Sequence, residues 1–458
     1  MEGPRTVDIT QLIDAQQIRA LNVRIILISF LVMFSDGYAL AAAAYAAPGM
    51  LSEWHISRAS LGPMFSASLF GMLFGAPLFG FLGDRYGRKK GIVWSCFVYG
   101  IASLGIVAST TLSQVILLRF LSGIGLGGLP PNTVSLNAEF APKRIRATMI
   151  VLMFMGITVG GILPGTVYAY FPQFGWRMLF LVGGVFPIIV AVAALFFLPE
   201  SIKFLVLRRN QTALVRLTRS LDPSLSIPSD AEFVVKEHSA TAATIARLFT
   251  DGYAWITPLL WLLFLTNLMA NFFLNSWMPT LFRDSGLTVR LTALTTAAYY
   301  VGGILGGLVI SRLLDRRRLE TLGIAFGLGC LVVPFIGSHL PHLLLIATVF
   351  AAGFCILGNQ LGINAISGLV YPTAIRANGI GWANAIGRFG AISGPMIGAW
   401  LLARNTSIER LFLVPILPLA VGALASFAFM HACNRRFGRG LHLQPEIPFS
   451  RSIPAEPA

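Results

Sequence analysis

Gly80-Phe81-Leu82-Gly83-Asp84-Arg85-Tyr86-Gly87-Arg88-Lys89-Lys90 is a short charged stretch held between two apolar runs, 60–83 and 91–108. About 20 mainly apolar residues span the hydrocarbon core of a bilayer, so this pattern reads as one crossing, a tight turn and a second crossing. Outward from it, ten more runs of the same kind follow: 23–47, 112–134, 147–170, 177–198, 255–282, 292–314, 320–338, 342–368, 374–403 and 408–433. The one long polar interruption, Pro199–Ala254, divides the twelve runs six and six.

Composition agrees. Apolar residues are 55% of the 458 and charged residues only 12%, with a mean hydropathy of +0.75. A water-soluble enzyme carries about twice that charge fraction, and disorder is excluded by the apolar content. The net charge of +15 raises the question of a nucleic-acid surface. The charges, however, sit in short loops between the runs. Cys96, Cys330, Cys355 and Cys433 all lie in apolar stretches with no metal or disulfide spacing. His339 and His342 are too few for a metal site, so neither metal nor cofactor is expected. No cleavable leader is expected either, because the residues before the first run include Asp8 and Asp14 and no compact basic region. Ile9, Leu12, Ile13 and Ile18 suggest a short amphipathic helix on the membrane surface.

The basic residues set the orientation. Of the 34 Lys and Arg, 26 fall on the side shared by both termini, six on the other, and two, Arg119 and Arg388, inside runs. Both termini are therefore expected in the cytosol. The expected organisation is a cytosolic segment 1–22, a six-helix bundle 23–198, a cytosolic loop 199–254, a second six-helix bundle 255–433 and a cytosolic tail 434–458.

The two bundles carry matching punctuation. Asp84-Arg85 and Asp315-Arg316 are 231 residues apart, and Pro142-Lys143-Arg144-Ile145-Arg146-Ala147 and Pro372-Thr373-Ala374-Ile375-Arg376-Ala377 are 230 apart. This reads as a duplication about an axis along the membrane normal, with a ligand site at mid-membrane between halves that rock against each other. At this point the chain resembles the major facilitator superfamily, whose signature the stretch at 80–90 matches. Asp84 at a helix end can accept bonds from neighbouring helix termini and Arg side chains and so latch that face shut, with Arg85 and Arg88 in the same network. Glu139, Arg144, Arg146, Asp315 and Arg376 are candidates for the same network, with topology alone as the competing reading for the arginines.

Four stretches narrow the resemblance: Phe34-Ser35-Asp36-Gly37-Tyr38, Asn137–Thr148, Asn275–Thr280 and Tyr371–Trp382 with Gly387–Ala391. Together they are similar to the aromatic acid:proton symporter family. The resemblance implies import of benzoate-like and hydroxybenzoate-like anions with protons, through a multi-pass protein of a bacterial inner membrane. One departure stands out: Ala39 occupies the position of the family's second acid in the first span.

A charge at bilayer centre costs about 2.5–3.5 kcal/mol on insertion scales, so each needs a partner or a function. Asp36 lies halfway along the first run, Arg119 in the fourth and Arg388 about ten residues into the eleventh. Depth along antiparallel runs separates Asp36 from Arg119 by five residues, or roughly 7–8 Å. The simplest expectation pairs these two for proton coupling and leaves Arg388 unpaired, as an anion site suited to a bidentate carboxylate. Structural bonds are the competing reading for both arginines, and a permanent Asp–Arg clip for Asp36. Tyr38, Asn271, Asn275, Tyr299, Asn359, Gln360, Trp382 and Asn384 supply amides and aromatic rings for a hydroxylated aromatic acid, or else hydrogen bonds between helices. No phosphate-binding Lys-Ser/Thr follows the glycine-rich runs, so ATP-driven transport is not expected.

The sequence thus predicts an all-α membrane protein of twelve helices, a non-enzymatic importer of small aromatic carboxylates by proton symport. Its partners are the substrate, protons and lipid, without nucleic acid, and a monomer is expected. An exporter or exchanger of another organic anion is the alternative, favoured by Ala39.

Overall fold

The computed structural model describes residues 6–8, 13, 14, 16, 18–142, 144–221, 232–234, 245–316, 318–338 and 340–438. Among these, twelve helices are long and apolar enough to cross a membrane. Spans 1 to 6 are Ala20–Trp54, Arg58–Tyr86, Arg88–Val107, Leu112–Phe140, Thr148–Tyr170 and Arg177–Phe197. Spans 7 to 12 are Ile256–Asp284, Val289–Leu314, Glu320–Gly337, His342–Val370, Asn378–Leu402 and Ile408–Phe437. Span 4 runs six residues past its expected end. Its polar last turns are satisfied inside the bundle: Asn132 Nδ2 donates to the carbonyls of Phe79 and Gly128, and Asn137 Nδ2 to Ser29 Oγ at 2.7 Å.

The duplication is visible atom by atom. Span 2 packs on span 4 and span 1 on span 5, while span 8 packs on span 10 and span 7 on span 11. At the first contact Gly71 lies on the backbone of Phe120, Gly75 on Ile124 and Gly123 on Ser68. At its counterpart Gly302 lies on Phe350, Gly306 on Phe354 and Gly353 on Tyr299. Every pair is displaced by 230 or 231 residues. A Cβ at any of these glycines would overlap a backbone carbonyl, so the close approach depends on them. Likewise Arg146 Nε donates to the Ala141 carbonyl at 3.3 Å and Arg376 Nε to the Tyr371 carbonyl at 3.1 Å, each five residues back.

Spans 1, 2 and 5 of the first half meet spans 7, 11 and 8 of the second. On the face that carries Arg58, the halves are joined by an Arg58–Asp284 ion pair at 2.6 Å. Below it Phe65 and Trp277 stack edge to face at 5.2 Å, and Ser66 Oγ donates to the Ile392 carbonyl at 2.8 Å. Leu61, Met64, Phe65, Trp277 and Tyr299 belong to one continuous buried apolar cluster, which seals the junction on that side.

The opposite face, which carries Asp84, holds the polar loop. Helices Ile202–Leu207 and Gln211–Leu221 bury Ile202, Leu205, Leu214 and Leu217 against the first half. A three-residue parallel pairing joins Thr6–Asp8 to Glu232–Val234, the single departure from helix in the described chain besides turns. Of the residues expected on an amphipathic surface helix, Ile9 and Leu12 lie outside the described residues, Ile13 is buried in protein and Ile18 is exposed. Gln16 Nε2 and Asn22 Nδ2 both donate to the Phe140 carbonyl, at 3.0 and 3.1 Å, and so occupy an otherwise open acceptor at the end of span 4.

Candidate functional site

Asp36 sits midway along span 1 and is 2% exposed. Gly37 presses directly on the Ile157 backbone of span 5, which fixes the depth and rotation of the carboxylate. Its Oδ1 is buried without a hydrogen-bond partner.

The expected Asp36–Arg119 pair does not form. Arg119 instead turns to span 2, where Nε donates to the Met64 carbonyl and Nη2 to Ser68 Oγ, both at 2.8 Å. The glycine contacts that draw spans 2 and 4 together bring these acceptors within reach, so the guanidinium is satisfied at its own level. The cation that acts on Asp36 is Arg388, from the other half of the chain, and Asp36 is in turn the charge that acts on Arg388. Arg388 is therefore not isolated in the second half as expected. Its Nη1 donates to the Met72 carbonyl of span 2 at 2.7 Å. Arg388 thus crosses the junction to span 2 at mid-membrane, with Asp36 in its field.

Along span 11, Asn384 lies four residues before Arg388, about 40° away around the helix. It is exposed, and its Nδ2 donates to the Ile380 carbonyl at 2.9 Å. Trp382 lies about 120° from Arg388. It shares a face with Phe389, Met396 and Trp400, all exposed, and its ring is 6.3 Å from that of Trp261. That places Trp382 on the outward apolar stripe and away from Arg388, contrary to its expected role. Two more residues turn away. Tyr38 donates to the Leu179 carbonyl of span 6 at 3.0 Å, and Asn359 Nδ2 points at the Leu322 carbonyl of span 9 at 3.5 Å.

The other polar residues form an ordered set. Asn267 Nδ2 bonds the Ile356 carbonyl and Gln360 Oε1, and Gln360 Nε2 continues to Asn364 Oδ1 at 3.1 Å. Tyr299 donates to Asn271 Oδ1 and Tyr300 to Asn275 Oδ1, each at 2.7 Å. Tyr99 of span 3 was not anticipated. Fully buried, it donates to the Ser35 carbonyl at 3.2 Å, beside both Asp36 and Arg119. A tyrosine within an apolar run needs a buried acceptor, and that was the available signal.

On the Asp84 face, Asp84 pairs with Arg88 one helical turn away. Arg88 also reaches Asn132 Oδ1 at 3.3 Å. Arg85 lies over the neighbouring Tyr86 ring, and its carbonyl accepts from Arg208 at 3.4 Å. Glu139 accepts from Ser201 Oγ at 2.7 Å, and Arg144 donates to the Gln16 carbonyl at 2.8 Å. These bonds join the first half to itself, to the N-terminal segment and to the polar loop, and none of them reaches the second half, where Arg376 bonds Tyr371. Of the expected partners of Asp84, helix termini and Arg side chains, the described residues show the arginine one turn away. The side chain of Asp315 lies outside the described residues. Glu200, in the polar loop, accepts from the backbone N–H of Lys89 at 3.0 Å and of Ser201 at 2.8 Å. Burial holds its proton more firmly than an ordinary glutamate does, partly offset by those N–H groups and by Lys89 and Lys90. It lies against Gly87, whose φ of +112° favours glycine and whose absent side chain leaves room for the carboxylate.

The Major Facilitator Superfamily profile matches residues 26–319 and 260–439. The chain belongs to the Major Facilitator Superfamily. Among the superfamily's members it is 38% identical to the 4-hydroxybenzoate transporter PcaK of Pseudomonas aeruginosa, over 92% of this chain and 95% of that one. It is 34% identical to the gallate transporter of Pseudomonas putida, over 93% and 96%. The benzoate transport protein of Acinetobacter baylyi is 28% identical, over 92% of each. In fold it is similar to the inward-open xylose transporter XylE of E. coli, with a TM-score of 0.68, 15% identity and coverage of 88% and 95%. The chain is a multi-pass integral membrane protein of a transporter superfamily, and not an enzyme.

Proposed function

We propose that this protein imports small aromatic carboxylates together with protons by alternating access. The observation that carries the reading is a buried carboxylate, Asp36, at mid-membrane in the field of Arg388 from the opposite half, whose guanidinium crosses the junction to the Met72 carbonyl. The relatives named for hydroxybenzoate, gallate and benzoate transport supply the ligand class. On this reading Arg388 holds the substrate carboxylate and Asp36 carries the proton. An anion seated on Arg388 cancels the charge that favours ionised Asp36. Anion binding and proton uptake then favour one another, and by linkage the coupling is reciprocal. Asn271, Asn275, Tyr299, Gln360 and Asn384 complete the lining, and Arg119 serves to hold spans 2 and 4.

The charge asymmetry supports a cytosolic Asp84 face, both termini cytosolic, in a bacterial inner membrane. The matched glycine contacts support a division into halves, read as 23–198 and 255–433 around the loop 199–254. Ala39 supports the second reading, an exporter or exchanger, because one acid fewer lines span 1 than in the symporters it resembles.

The test is accumulation of labelled 4-hydroxybenzoate in proteoliposomes under an imposed pH gradient. Wild type accumulates the acid, whereas Asp36→Asn abolishes gradient-driven accumulation and leaves exchange between the two sides. Undiminished accumulation by Asp36→Asn sinks the proton role. Exchange without accumulation by wild type favours the second reading.

A further inference from the structure

We propose that Asn271, held in one orientation by Tyr299, selects an oxygen-bearing ring substituent on the transported acid. The proposal rests on the aromatic-carboxylate reading and assigns the specificity of that same site.

The chemistry begins at Tyr299, which is 0% exposed. Its hydroxyl has Asn271 as hydrogen-bond partner, at 2.7 Å. A buried phenol must give up its proton to an acceptor, and 2.7 Å is an O–H···O length, shorter than the usual N–H···O. The Asn271 side chain is thereby fixed with Oδ1 toward Tyr299 and its NH₂ group turned away. That nitrogen has no hydrogen-bond partner among the described residues, and the residue is 7% exposed. An asparagine normally offers both a donor and an acceptor. Here the oxygen is turned to Tyr299, so the NH₂ is the group left to a ligand. Tyr300 and Asn275 repeat the device one turn along span 7, also at 2.7 Å, with the Tyr300 ring against Gly161 of the first half. Asn267, one turn the other way, is not equivalent, because its NH₂ is spent on Ile356 and Gln360.

Placement fits one ring. Gly387 packs on Phe264 and Leu268, and Gly390 on Leu265, so Arg388 stands level with the Asn267 turn of span 7. Asn271 is four residues farther toward the Arg58 face, about 6 Å at 1.5 Å per residue. A benzene ring with its carboxylate on Arg388 reaches that level with its para substituent. A donor there bonds only to an acceptor, an oxygen with lone pairs to offer. A hydroxyl satisfies it, an aniline nitrogen is a poor acceptor, and a methyl group leaves the amide unpaired.

The experiment measures binding of three isosteric acids, the para-hydroxy, para-amino and para-methyl benzoates, to detergent-solubilised wild type, Asn271→Leu and Tyr299→Phe. Wild type is expected to favour the hydroxy acid by about tenfold over the other two, the size of one hydrogen bond to a group otherwise left unsatisfied. Asn271→Leu should remove that preference and keep the methyl acid bound. Tyr299→Phe frees the amide to turn, so the discrimination between hydroxy and amino acids should collapse while all three still bind. This last result separates an orienting tyrosine from a merely structural one. Full hydroxy-over-methyl preference in Asn271→Leu overturns the assignment, as does unchanged hydroxy-over-amino selection in Tyr299→Phe. If no acid binds wild type, the aromatic-carboxylate reading fails and this one with it.

Discussion

Arg58 Nε and Asp284 Oδ2 stand 2.6 Å apart across the junction of the two halves, at the face opposite Asp84. The Arg58 side chain is 54% exposed and that of Asp284 19%. An exposed pair of this kind is worth about 1 kcal/mol or less to stability, yet it exists only while that face is closed. Its weight is therefore in the balance between states. Arg58→Asp and Asp284→Arg should each change transport by about fivefold, the equivalent of roughly 1 kcal/mol. The double exchange should return toward wild type, with little change in melting temperature for any of the three. Uptake rates and thermal melts check this, and a double exchange no better than the singles removes the pair from the gate.

Arg388 offers a sharper test, because its two contacts differ in kind. The Met72 carbonyl is a structural acceptor, whereas the field on Asp36 is what the proposed coupling uses. Arg388→Ala should lose about 2–5 kcal/mol of binding to the acid, as for a buried charge pair broken on one side. Arg388→Lys keeps the charge without the planar fork, so affinity should fall while some transport survives. The neutral amide of the same acid should bind all three proteins nearly alike. Binding measured for acid and amide beside melting temperature decides it. Retained affinity of Arg388→Ala for the acid excludes the anion site there.

Two glycines of span 10 separate packing from helix propensity. Gly353 lies on the Tyr299 backbone, while a Cβ at Gly368 meets nothing within 4 Å. Gly353→Ala should destabilise by about 1–3 kcal/mol through overpacking. Gly368→Ala should be neutral or stabilising by up to about 1 kcal/mol, since alanine favours helix. Because Tyr299 is displaced, Gly353→Ala should also disturb ligand binding. Melting temperatures in one detergent provide the comparison, and equal effects at the two sites contradict the packing argument.

Glu200 carries a pH dependence whose sign follows from its burial. The folded protein holds this proton more firmly than the unfolded chain does. Its favourable contribution is thus complete below the ordinary glutamate range, near pH 4, and is lost as pH rises through the folded value. Glutamine keeps an oxygen acceptor for the N–H groups of Lys89 and Ser201 without the buried charge. Glu200→Gln should therefore melt higher than wild type at neutral pH, with the gap closing as the pH is lowered. A gap that widens toward acid pH contradicts this account.

How far the sequence reaches can be judged on individual residues. The twelve spans, the two halves and the mid-membrane depth of Asp36 and Arg388 follow from hydropathy and charge, which act along the axis of each helix. The partner of Asp36 does not, because counting residues gives depth and not rotation about the axis. Arg119 lies at a reachable depth but faces span 2, drawn there by the glycines at Gly71 and Gly123. Trp382 fails for the same reason, lying on the wrong side of the right helix. The anchoring of Gln16 and Asn22 to the end of span 4 is a long-range bond between polar side chains and a carbonyl, which leaves no periodic trace.

The Phe34–Gly160 contact recurs as Leu265–Gly390, displaced by 231 and 230 residues, and the 231-residue offset of Phe34 carries Asp36 onto Asn267. One half thus contributes a titratable group at the centre, and the other an uncharged amide in its place. On the proposed mechanism the empty protein returns with ionised Asp36 opposite Arg388. The loaded protein crosses with Asp36 neutralised by its proton and Arg388 by the carboxylate. Both travelling forms carry the same net charge, so a monovalent acid is moved electroneutrally. The chemical gradient of protons drives uptake, and the membrane voltage has no purchase on either crossing.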